Sequence, residues 1–248
     1  MKINSDINIL GGLKDFELIR FFLKSNESKD SDNTFTKVRT EKSVRRFEKA
    51  IVSTFLSFKT KETEKLFSDY FLDEDLSNDY LMLLFWNGSV NNDLLNYLNL
   101  HIFFPAFYSG RLILQQDEIS ACLNDLKANV PTLRNWSKNT TEITASKYLT
   151  LLKKFNLLEG RQKKSIKHPF LSDKMFVYLV YWILSIENQS NILKSSWLPY
   201  SFSEKEFFIE RILQNRFSKF WEVDYTGDKM RVKNLIEYNN IYEIDTES

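Results

Sequence analysis

The sequence predicts a mainly α-helical protein of several helices with a small β-hairpin near its C-terminal end. Three observations carry this expectation. Glycine (6 of 248 residues) and proline (4) are too scarce for the many turns of a β-sandwich or barrel. Apolar residues recur at helical spacing, as in Val44, Phe47, Ile51, Phe55 and Phe58. Hydrophobic residues make up 43% of the chain and aromatics 15%, enough for a sizeable core.

Taken in order, Leu13 to Lys24 reads as a first helix. Ser25 to Thr36 is polar, acidic and rich in Ser and Asn, the composition of a mobile loop. A long helix fits Thr40 to Phe58, with Lys42, Arg45, Arg46 and Lys49 on its other sides. Glu62 to Leu72 is amphipathic. Ser77 can cap a helix over Asp79 to Trp86 that stops at Asn87-Gly88, and Ser89 can cap Val90 to Leu100. The aromatic run His101 to Tyr108 is broken by Pro105, and His101 beside it reads as a satisfied structural histidine. Gln116 to Ala128 places Ile119, Cys122, Leu123 and Leu126 on one face, which makes Cys122 a core thiol. Ser172 can cap Asp173 to Glu187. Ser203 to Glu206 has the pattern of a capping box opening a helix to about Asn215. Lys219 to Tyr225 and Lys229 to Ile236 flank Thr226-Gly227-Asp228, which predicts the hairpin.

With Cys122 alone, no disulfide forms within the chain. Met1 to Leu10 lacks the basic start and apolar run of a signal peptide. The longest apolar stretch, Met175 to Ile186, has about 12 residues where a bilayer span needs about 20. These features predict a cytoplasmic protein with no membrane association.

The net charge of +1 conceals three blocks. Lys37 to Lys65 holds nine Lys/Arg and four Asp/Glu, a net of +5. Leu66 to Leu126 holds one Arg and nine acids, a net of −8. Lys127 to His168 holds ten Lys/Arg and two Glu, a net of +8. Such blocks fit a basic face turned toward a polyanion, or a solvated surface whose signs mix once the chain folds.

Catalytic patterns are missing. Gly11-Gly12 has no following Gly-Lys-Ser/Thr. Two separated histidines and one cysteine do not make the usual zinc sites, and no Ser sits in a Gly-x-Ser-x-Gly elbow. The expectation is a protein without enzymatic activity, metal or cofactor. Glu222, Asp224 and Asp228 with Lys229 could imitate a Mg²⁺-dependent nuclease cluster, but alternating acids on a hairpin are more often its solvent face.

Leu133 to His168 is the most informative stretch. A polar turn at Ser137 to Thr141 leads into a helix over Glu142 to Phe155. Ala145, Tyr148, Leu149 and Leu152 form its buried stripe, with Thr140, Ile143, Lys147, Thr150 and Lys154 opposite. Asn156 can take a left-handed helix end, and Arg161, Lys163, Lys164 and Lys167 follow on a short strand–turn segment. A helix, a polar turn, a second helix and a basic β-hairpin form the pattern of a winged helix-turn-helix. The expected division is a helical region 1–128 with its loop at about 25–36, a winged segment 129–170, and C-terminal helices and hairpin over 171–248. The residues expected to meet DNA are Thr140, Thr141, Thr144, Lys147, Thr150, Lys154, Arg161, Lys163, Lys164 and Lys167, joined by Arg39, Arg45 and Arg46.

Three stretches together resemble the BrxA family of BREX bacteriophage-exclusion systems. They are the helix opened by Arg39-Thr40 with Arg46, the helical middle with apolar Leu81 to Trp86 and Ile102 to Phe107, and Trp136-Ser137-x-x-Thr140 followed by Tyr148 to Leu158. The likeness spans roughly Thr36 to Pro169 and departs in the early loop and the C-terminal third. It implies a helical, winged-helix DNA-binding protein that is not an enzyme, serving host defence beside a methyltransferase and ATPases. The resulting expectation is a DNA-binding accessory protein that contacts duplex DNA with weak sequence preference. A protein-interaction scaffold within the same defence complex and an RNA-binding helical protein stay open as alternatives.

Overall fold

A computed structural model of the chain describes residues 3, 6–13, 41–72, 77–187 and 190–242. The expected loop 25–36 and Arg39 lie outside the described residues. So does the expected first helix except for Leu13, which is not helical. In chain order the helices are α1 (Ile7–Leu10), α2 (Glu41–Phe55), α3 (Lys61–Leu72), α4 (Asn78–Asn91), α5 (Asp93–Leu98), α6 (Phe104–Tyr108), α7 (Gln116–Asn129), α8 (Lys138–Lys154), α9 (Asp173–Ile186) and α10 (Lys205–Ile212). The strands are β1 (Ile113–Leu114), β2 (Leu158–Glu159), β3 (Lys164–Ile166), β4 (Trp221–Tyr225) and β5 (Met230–Asn234). The fold is mainly helical with small antiparallel sheets, and among the described residues no helix is long and apolar enough to cross a membrane.

The chain divides into two compact units, Met1–Ser57 with Glu74–Lys167, and Phe58–Asp73 with His168–Ser248. In the first, α4 is buried almost all round, from Tyr80 and Met82 through Ser89. Ser77 caps it as expected, accepting from the Tyr80 amide at 3.1 Å. The expected stop at Asn87-Gly88 is wrong, because both residues serve helix contact. A Cβ at Gly88 would lie 2.7 Å from the Phe55 ring. The Asn87 side chain donates to the carbonyls of Phe55 and Ser57 at 2.7 and 3.1 Å. The next cap is Asn92, whose Oδ1 accepts from the Leu95 amide, while the Ser89 hydroxyl donates to the Phe85 carbonyl.

Pro105 does not break the aromatic run. It sits in the first turn of α6, where its missing N–H costs nothing, and a π-turn over Asn99–Phe103 connects α6 to α5. His101 is exposed rather than enclosed, with its ring 4.1 Å from that of Tyr97. Cys122 is half-buried, and burial pushes its thiol pKa up, which leaves it a poor nucleophile. After α7, a short 3-10 turn (Pro131–Leu133) leads to Ser137 and α8. The strands β2 and β3 then return antiparallel, and β1 closes the other side of β3, giving the order β1-β3-β2. Its register pairs Ile113 with Ser165 and Leu158 with Ile166.

In the second unit, α9 is buried from Met175 to Ile183 and packs on α3. Ser172 caps it, accepting from the Met175 amide at 3.2 Å. The expected capping box at Ser203 does not form: Glu204 is the N-cap residue without a side-chain bond, and the Ser203 hydroxyl donates to that of Ser201. Phe176 gathers Phe208, Phe217 and Trp221 around it. The expected hairpin is present as β4–β5, with Gly227 at φ 88° in its turn. Glu222 and Asp224 are exposed and face Lys233 and Arg231 across the strands, with Glu222 3.7 Å from Lys233. Among the described residues no three His, Cys, Asp or Glu side chains gather as a metal-binding group, so the nuclease reading finds no ligand set.

Candidate nucleic-acid interface

The helix α8 begins one turn earlier than its sequence pattern suggests. The Ser137 hydroxyl accepts from the Thr140 amide at 3.1 Å, so Lys138 is already helical. Ala145, Tyr148, Leu149 and Leu152 are buried as expected, together with Thr141, Thr144 and Leu151. A buried polar chain holds this side in place. The Tyr148 hydroxyl donates to Asn99 Oδ1 at 2.9 Å, Asn99 Nδ2 donates to Ser89 Oγ at 3.0 Å, and Ser89 Oγ donates to the Phe85 carbonyl at 2.7 Å.

The burial of Thr141 (1% exposed) and Thr144 (0%) removes both from any ligand-facing set. Their hydroxyls turn back to the Ser137 and Thr140 carbonyls, as small hydroxyl side chains do within a helix. Thr140 is half-buried and shares a hydrogen bond with the Ser137 hydroxyl, and Thr150 donates to the Ser146 carbonyl. Lys147 and Lys154 are also corrected. Lys154 Nζ donates to the Leu10 carbonyl at 3.2 Å and to that of Leu13, anchoring the segment around α1 against α8. Gly11 lies so close that a Cβ there would be 2.5 Å from the Lys147 carbonyl oxygen. The flank of α8 that carries these lysines is therefore occupied by the chain itself.

The face that remains open holds Asn139, Glu142, Ile143, Ser146 and Lys153, with Thr150 half-exposed among them. Asn139 was missed in the sequence because the helix start was placed at Glu142, and Ser146 and Lys153 because the outer face was drawn through Lys147 and Lys154 instead. Reading Ser137 as its cap extends the helix by one turn and adds Asn139 to the stripe of Ile143, Ser146 and Lys153.

The stripe ends at the basic turn. Gly160 takes φ 88°, and its carbonyl accepts from Lys153 Nζ at 2.9 Å and Lys164 Nζ at 3.4 Å. Lys164 also donates to the Arg161 carbonyl at 2.9 Å. Arg161 and Lys163 are exposed. None of these four cations has an ion-pair partner among the described residues. Partial burial and the nearby charge of Lys153 together hold the Lys164 pKa below the ordinary lysine value. Asn156, at φ 61°, makes the expected left-handed helix end, and its side chain accepts from Lys167 and donates to Asn78. Arg45 and Arg46 are exposed on α2, a separate helix.

The BrxA family profile matches residues 25–181, more than half of the sequence. The chain belongs to the BrxA family. BrxA proteins are accessory defence proteins of BREX phage-exclusion systems, which sets this chain among the proteins of phage defence. The BrxA match takes in α8, the Gly160 turn and the first part of α9. No curated protein matches the chain.

Proposed function

We propose that this BrxA-family chain is a non-enzymatic, cytoplasmic DNA-binding accessory protein of a BREX-like system that grips duplex DNA through a winged helix-turn-helix. In this reading α7 and α8 are the helix-turn-helix, β2 and β3 are the wing, and β1 completes the sheet. The chain order of helix, strand, two helices and hairpin, with sheet order β1-β3-β2, supports it. The observation that carries it is the Gly160 turn. Lys153, Arg161, Lys163 and Lys164 stand together there without acidic partners, and the repulsion between Lys153 and Lys164 is relieved when a phosphate comes between them. Lys167 braces the base of the wing through Asn156. Arg45 and Arg46 supply further positive surface. Contacts of this kind give a weak sequence preference and steep salt dependence.

The exposed rings of Phe170 (85%) and Phe207 (64%) favour a second reading, in which the C-terminal unit meets another protein of the defence assembly.

The test is fluorescence anisotropy of the full chain with a labelled random-sequence duplex between about 50 and 200 mM salt, where each lost phosphate contact lowers the log–log salt slope by about 0.9. Lys163→Ala with Lys164→Ala is expected to flatten the slope by about 1.8 and to weaken binding to all sequences alike. An unchanged slope removes the wing from the interface. Structured RNA as competitor decides between nucleic acids, and a clear preference for it reassigns the ligand. Cleavage of the duplex with added Mg²⁺ or Mn²⁺ would contradict the non-enzymatic reading.

A further inference from the structure

We infer, resting on the DNA-binding reading above, that the open face of α8 gives this protein a preference for A·T base pairs, with Asn139 and Ile143 as its specificity-determining residues. At about 100° per residue, Asn139, Ile143, Ser146, Thr150 and Lys153 fall within roughly 80° of one another on the helix. The stripe is continuous with the wing, because Lys153 reaches the Gly160 carbonyl. When the wing cations lie on phosphates, this face is the one turned toward the duplex. The first two turns of the second helix are the part that meets base edges in a helix-turn-helix.

The chemistry at those turns is selective. Ile143 is 43% exposed in the middle of a polar face. One exposed apolar side chain is ordinary on a protein surface. Here its neighbours give it a ligand. The Asn139 amide and the Ser146 hydroxyl make no hydrogen bond among the described residues. An asparagine pairs in bidentate fashion with adenine N6 and N7, and an aliphatic side chain packs against the C5-methyl of thymine. Asn139 and Ile143 are one helical turn apart, a rise of about 6 Å, which spans roughly two base steps of about 3.4 Å. Ser146 is small and lets the backbone come close. Glu142 flanks the stripe and lies 3.8 Å from Lys138, so its charge is partly neutralised at the edge of the face.

The preference is testable by removing the C5-methyl groups of thymine from the DNA. The full chain is titrated against an A·T-rich duplex, the same duplex with uracil replacing thymine, and a G·C-rich duplex of equal length. The wild type is expected to bind the thymine duplex about fourfold more tightly than the uracil one, the value of one buried methyl. Ile143→Ala should abolish that difference while keeping the salt slope. Asn139→Ala should reduce the preference for A·T over G·C by about fivefold or more, a typical loss for a bidentate base contact. Both side chains are exposed, so neither variant is expected to disturb folding. Equal binding of the thymine and uracil duplexes, or an Ile143→Ala variant that still tells them apart, overturns the inference while leaving the DNA-binding reading in place. Failure to bind any duplex at about 50 mM salt overturns both.

Discussion

The buried chain of Tyr148, Asn99 and Ser89 ties α8 to α4 and to the π-turn, so its removal should loosen the helix that carries the proposed interface. Tyr148 and Asn99 are 0% exposed and Ser89 1%, so no water replaces a lost partner without rearrangement. Tyr148→Phe takes one donor from Asn99 Oδ1 and is expected to cost about 1–2 kcal/mol. Asn99→Leu removes both the acceptor for Tyr148 and the donor to Ser89, and should cost about 2–3 kcal/mol. When both are replaced, neither leaves the other facing an apolar group. The double variant should then lose about 1.5 kcal/mol less than the sum of the singles. A chain of two units is not assured of two-state unfolding, so the assay is hydrogen exchange of peptides from α4 and α8. Tyr148→Phe is expected to speed exchange there by about tenfold, since each 1.4 kcal/mol is a factor of ten. Additivity within about 0.5 kcal/mol would refute the coupling, as would faster exchange confined to other helices. DNA affinity at fixed salt should be unchanged, because Tyr148 faces inward.

Burial raises the pKa of Tyr181 and Tyr238 to about 12, and pushes Tyr178 upward too. Folding therefore favours the neutral phenols, and this stabilisation is complete below about pH 10 and lost as pH rises from about 10 toward 12. Alkaline titration followed by phenolate absorbance should show these rings ionising together with unfolding, and smooth ionisation at the ordinary value would contradict their burial. Gly11→Ala places a Cβ against the backbone of Lys147 and should lift the 6–13 segment from α8 at a cost of about 1–3 kcal/mol. Faster exchange in that peptide and higher reactivity of the Lys154 amine toward acylation would report it. Asp173 holds Arg211 at 2.8 Å and Arg216 at 2.9 Å, with Arg211 mostly buried. Asp173→Asn should destabilise the second unit by about 1–3 kcal/mol, mainly through Arg211, and lower its melting temperature by several degrees; an unchanged melting temperature would show that solvent compensates the pair.

Local signals carried much of the fold. The caps at Ser77 and Ser172, the left-handed end at Asn156 and the hairpin turn at Gly227 are each written within a few residues, and each appears where the sequence put it. Long-range contacts did not announce themselves. Asn87-Gly88 has the composition of a helix stop and instead meets Phe55, 33 residues earlier in the chain from Gly88. The strand β1 is two residues long and is defined only by its partner β3. For the candidate site, the basic turn was legible from its charges, whereas the open face of α8 was legible only through Ile143 and Thr150. Thr141 and Thr144 were placed outside although they stand seven and four residues before the buried Tyr148, on the same side of the helix. Lys147 and Lys154 looked free because the segment that covers them lies some 140 residues away in sequence.

The membership of α3 in the second unit has a consequence for synthesis. Its buried face, Leu66, Phe67 and Tyr70, packs with α9, which leaves the ribosome about 100 residues later. At about 5–20 residues per second, that delay lasts roughly 5–20 s. Through that interval the nascent chain displays an aromatic surface with nothing to cover it. Holdase chaperones are suited to such a gap. Slowing elongation between residues 73 and 173 would lengthen it and raise the aggregated fraction.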